Sequence, residues 1–85
     1  MDGKLDIKKS ALALGLLFAV WHLGWVLAVA IFGNAFVEWT MGLHLISLPI
    51  PVAPFDFVTL IIGVISAFIC GALTGAVFAL IWNKL

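Results

Sequence analysis

Two groups of side chains in this 85-residue chain are of types that could do chemistry. His22 lies inside one long apolar run, and Thr59, Ser66, Cys70 and Thr74 lie inside another, while Glu38, His44 and Asp56 sit between the runs or at their edge. An imidazole within an apolar run is by default a functional-site hypothesis, because it needs water, a partner or a ligand to satisfy its nitrogens. Its near-neutral titration suits it to relaying protons or tuning ion passage. The competing reading is a neutral imidazole bonded to Ser66 or another hydroxyl of the second run, as ordinary interhelical glue. On a helix turning about 100° per residue, Asp56, Thr59, Ser66, Cys70 and Thr74 fall within an arc of roughly 80°. They would form one polar stripe, able to line a pore if copies assembled around it. Glu38, His44 and Asp56 would form an outer cation-binding rim, or simply be solvated.

Other chemistries find little support. His22 with Cys70 supplies one imidazole and one thiolate, too few ligands for a metal site unless subunits pool them, and no metal or other cofactor is expected. Hydroxyls inside the runs have no carboxylate at their depth, so no nucleophile–base–acid set exists and an enzyme is not expected. A formal net charge of zero, with no basic cluster larger than Lys8-Lys9, leaves no electrostatic footprint for nucleic acid. The single cysteine excludes an intrachain disulfide.

The elements that must position these residues follow from composition. With 66% hydrophobic and 9% charged residues, against about 25% charged in soluble domains, the chain reads as an integral membrane protein. Residues 11–33 and 56–82 each exceed the roughly 20 residues needed to cross a ~30 Å hydrocarbon core, and their apolar stretches hold no Lys, Arg, Asp or Glu. Lys4, Lys8 and Lys9 precede the first span and Lys84 follows the second, so the positive-inside rule places residues 1–10 and 83–85 in the cytoplasm. Trp39 and Trp82 fall near the two interfaces, where amphipathic rings are enriched. A cleaved signal peptide ending near Ala28-Val29-Ala30 is the alternative, but the apolar stretch is longer than an h-region of about 7–15 residues.

Between the spans, residues 34–55 form the outer loop. Phe36, Trp39, Leu43 and Ile46 recur at helical spacing, which predicts a short interfacial helix. The prolines from Pro49 to Pro54 then forbid regular helix and make a stiff connector. Pro54 and Asp56 are expected to start the second helix, proline by its fixed φ and the carboxylate by meeting the positive dipole end.

Small residues supply the packing signal. Gly63, Ala67, Gly71, Gly75 and Ala79 recur every fourth position in the second span, and Ala11, Gly15, Ala19 and Gly33 share the His22 face of the first. Such edges let backbones approach closely. Leu14, Phe18, Trp21, Trp25 and Phe32 are expected on the opposite side of the first helix, against lipid or another subunit. His22 is expected at the level of Ala67 to Gly71. The fold class is therefore an all-α membrane protein, an antiparallel hairpin of two transmembrane helices with a short outer interfacial helix, assembling as a helical oligomer in the lipid bilayer.

The C-terminal run GALTGAVFALIWNKL, together with Lys9-Ser10-Ala11-Leu12-Ala13-Leu14-Gly15 at the start of the first span, resembles a family of small prokaryotic two-helix membrane proteins of unknown function. That resemblance implies topology without implying a mechanism. The function expected from the residues is a homo-oligomeric ion or small-solute pore. The alternative is a non-conducting accessory subunit of a larger membrane transporter.

Overall fold

A computed structural model describes residues 3–47 and 52–85. Pro49 and Pro51, part of the expected connector, lie outside the described residues. The order of elements is α1 (Ile7–Phe32), α2 (Asn34–Leu43) and α3 (Phe57–Lys84). The described residues are thus all-helical, and α1 and α3 are long and apolar enough to cross a membrane.

Each boundary has a local cause. α1 begins at Ile7, before the apolar run, because the Asp6 carboxylate accepts a hydrogen bond from the Lys9 amide at 3.0 Å and so satisfies one of the free donors of the first turn. Lys8 and Lys9 therefore ride on the helix rather than ahead of it. At the other end Gly33 takes φ 71°, a left-handed conformation that glycine adopts without a Cβ penalty. Its amide donates to the Val29 carbonyl at 2.8 Å, and α2 begins at the next residue in a new direction. α2 stops at Leu43, short of Ile46, where Leu45 turns to φ 61°. α3 is capped by Asp56, whose carboxylate accepts from the Val58 amide at 3.2 Å, and Pro54 lies ahead of the cap rather than inside the first turn.

α1 and α3 lie side by side in opposite senses. A Cβ placed on Gly75 would strike the Ser10 carbonyl oxygen, one on Gly71 the Leu14 carbonyl oxygen and Phe18, and one on Gly63 would come within 2.5 Å of His22 Nε2. Rising numbers along α3 thus meet falling numbers along α1. Gly71, Gly75 and Ala79 are buried by this contact. From α1, Gly15 is buried in return, and a Cβ there would stand 2.9 Å from the Phe68 ring. The small ridge is therefore occupied within one chain, where close backbone contact provides dispersion attraction that Leu against lipid would not add.

The contact row on α1 is wider than the small-residue face. Phe18 lies against Gly71 instead of joining an outward aromatic stripe, and the Leu14 carbonyl meets the same glycine, because Ser10, Leu14, Phe18 and His22, four apart, mark the line of α1 that meets the four-spaced ridge of α3. Trp25 and Phe32 meet α2. Phe36 lies 5.2 Å from Trp25, 6.0 Å from Phe32 and 6.5 Å from Trp39, centroid to centroid, so α2 is fixed to α1 by aromatic contact. Trp21 is left 76% exposed.

Two asparagines tie down passing backbone. Asn83 accepts from the Leu5 amide at 2.6 Å and donates to the Leu5 carbonyl at 2.9 Å, while Trp82 Nε1 donates to the Gly3 carbonyl at 2.7 Å. The segment before α1 is thereby clasped to the end of α3. Asn34 likewise accepts from the Val52 amide at 2.8 Å, holding the approach to α3 against the start of α2.

Candidate functional site

Beyond the contact of His22 with Gly63, the two long helices leave a cleft of about 850 Å³ between the last three turns of α1 and the first turns of α3. His22 and Gly63 lie at its inner end. Val26, Val29 and Ala30 line it from α1, Leu60 and Ile62 from α3, and Pro54, Phe55, Asp56 and Thr59 border it where α3 begins. The lining is apolar except for the imidazole, the carboxylate and the threonine hydroxyl.

At one edge, Thr59 Oγ1 donates to Asp56 Oδ2 at 2.5 Å, and the Val58 amide donates to Oδ1. The Thr59 hydroxyl first, with the Val58 and Thr59 amides, holds the exposed Asp56 carboxyl below the ordinary aspartate value against a smaller opposing effect of desolvation. The group is therefore anionic at neutral pH and its two oxygens are held in a fixed orientation.

At the inner end, His22 is half-buried, and among the described residues it has no hydrogen-bond partner. The interhelical bond to Ser66 does not form. Ser66 Oγ donates instead to the Ile62 carbonyl of its own helix at 2.8 Å, and Thr74 Oγ1 donates to the Cys70 carbonyl at 2.7 Å. Register is the cause. The pairing of Ser10 with Gly75 and Leu14 with Gly71 carries His22 to Gly63, one turn nearer the start of α3 than Ala67, and the hydroxyls then turn to the nearest backbone acceptors. His22 also borders a second hollow of about 580 Å³ with Leu17, Phe18, Trp21 and Ala67.

The polar stripe is divided by the fold. Asp56 and Thr59 line the cleft, whereas Ser66, Cys70 and Thr74 are exposed on the flank of α3. Cys70 follows Gly63 by seven residues, about 10 Å along the helix, so His22 and the thiol do not form a pair. Within one protomer Glu38, His44 and Asp56 stay apart, since among the described residues no three His, Cys, Asp or Glu side chains gather to hold a metal ion. Glu38 is exposed on α2, and His44 Nδ1 lies 2.7 Å from the Thr40 carbonyl of its own helix. Of the small residues, Gly15, Gly71, Gly75 and Ala79 are buried, while Ala19, Gly63 and Ala67 are partly covered.

The cleft itself is what the sequence did not disclose, because it depends on where the two helices part. The Asn83 clasp has a signal in the sequence, an amide side chain beside Trp82 at a helix end. Comparisons with family models, curated proteins and solved structures found no match.

Proposed function

We propose that this chain is an integral membrane protein whose α1 and α3 cross the bilayer as a hairpin with both ends cytoplasmic. Its copies assemble around the Ser66, Cys70 and Thr74 flank of α3 to form a small pore for ions or small solutes. One observation carries this reading: the glycine ridge is already covered inside the protomer, while the polar flank beside it stays exposed. In lipid an uncovered polar flank is unfavourable, and a second copy presenting the same flank is the simplest cover. The membrane setting is supported by side chains such as Leu16, Val20, Ile62 and Leu73, each more than half exposed, and by helices longer than a bilayer requires.

A second reading has its own support. Because Ser66 and Thr74 donate to carbonyls of their own helix, neither hydroxyl of the flank is unsatisfied, and the flank suits a dry interface with a larger membrane protein as an accessory subunit. Cysteine reactivity separates the two. In a Cys70→Ala background, cysteines at Ser66 and Thr74 are expected to react with hydrophilic thiol reagents, while cysteines at Ile65 and Ile69 stay unreactive. Liposomes containing the protein are expected to pass ions. Tight liposomes with unreactive flank positions would exclude the pore and leave the accessory reading.

A further inference from the structure

We propose that the cleft between α1 and α3 binds an organic cation with an apolar body, its charge beside the Asp56 carboxylate and its body between Val26, Leu60 and Gly63. The volume of about 850 Å³ falls within the roughly 300–1,000 Å³ of small-molecule sites, and a mostly apolar lining with a few polar groups is what such sites have in common. Asp56 is the sole formally charged side chain among the lining residues. An anion would be repelled there, and an inorganic cation would find one carboxylate and leave the apolar walls wet.

The carboxylate is ready to act. Each oxygen accepts one hydrogen bond from the first turn of α3, which fixes its direction and leaves lone pairs for a ligand. Phe55 borders the same end and supplies an aromatic ring of the kind that attracts organic cations. At the inner end the His22 ring sits against Gly63 and closes the cleft there, and with no hydrogen-bond partner among the described residues it leaves a ring nitrogen for a polar terminus of the ligand. The proposal concerns one protomer and stands whether or not copies assemble.

The test is equilibrium dialysis of the full chain in detergent against tetraphenylphosphonium, with tetraphenylborate as a probe of like shape and opposite charge. Saturable binding of the phosphonium is expected, about tenfold tighter than the borate, since an exposed ion pair gains and a like-charge pair loses about the same modest amount. Asp56→Asn retains a residue able to cap α3 and is expected to abolish the preference between the two ions. Ala30→Phe, which narrows the cleft from the α1 side, is expected to weaken binding at least tenfold. Equal affinity for both ions, or phosphonium binding unchanged in either variant, would overturn the proposal.

Discussion

Gly75→Ala is expected to force α1 and α3 apart, because its new methyl would clash with the Ser10 carbonyl and press on the Ala11 backbone. Backbone cannot rotate away as a side chain can. A loss of about 1–3 kcal/mol is expected from such overpacking, offset in part by the better helix propensity of alanine, up to about 1 kcal/mol. Gly71→Ala should behave alike, since it meets the Leu14 carbonyl and Phe18. Gly63→Ala should be milder: it meets the tip of the His22 ring, which can swing into the cleft. Gly24→Ala and Gly42→Ala, with nothing within 4 Å of the added carbon, should be neutral or gain about 0.4–1 kcal/mol. Unfolding in mixed detergent micelles with increasing dodecyl sulfate would rank the five variants. Equal effects at Gly75 and Gly24 would contradict the packing described.

The second large effect concerns assembly. Ser66→Phe combined with Thr74→Phe places two aromatic rings on the exposed flank of α3 without touching the ridge that faces α1. The protomer should keep its stability in the dodecyl sulfate titration, since both wild-type side chains are exposed and bond only to their own helix. Under the proposed assembly, association should weaken by at least tenfold, or about 1.4 kcal/mol, because the rings would hold the proposed flank contact apart. Sedimentation in density-matched detergent would read the change. A variant that unfolds like the wild type and also assembles like it would place the subunit contact elsewhere.

Much of this architecture was legible in residue order. The two apolar runs gave α1 and α3, and the four-spaced glycines gave their contact, since a bare helix edge has few uses besides close approach. Asp56 opens α3 as its residue type suggests, whereas Gly33, expected on the small face of the first helix, ends that helix, and Asp6, expected ahead of the span, caps it. Register was not legible. Sliding α1 against α3 by one turn leaves small residues opposed on both sides, so spacing alone could not decide whether His22 faces Ala67 or Gly63. The positions of Leu14 and Phe18 depended on the crossing of the two ridges rather than on periodicity within one helix. The cleft was invisible for the same reason: it arises where the four-spaced small residues end at Gly63 and Leu60 takes their place.

The central claim, that copies meet on the exposed flank of α3, has a direct test in the native sequence. Cys70 is the chain's single cysteine and lies exposed between Ser66 and Thr74 on that flank. Disulfide formation needs the two Cα atoms within about 7 Å, and a short bis-maleimide reaches somewhat further. Oxidation of native membranes by copper phenanthroline, with a parallel bis-maleimide treatment, should yield a covalent dimer that is absent from Cys70→Ser and diminished by the Ser66→Phe, Thr74→Phe pair. A chain that remains monomeric under both reagents would contradict assembly around this flank.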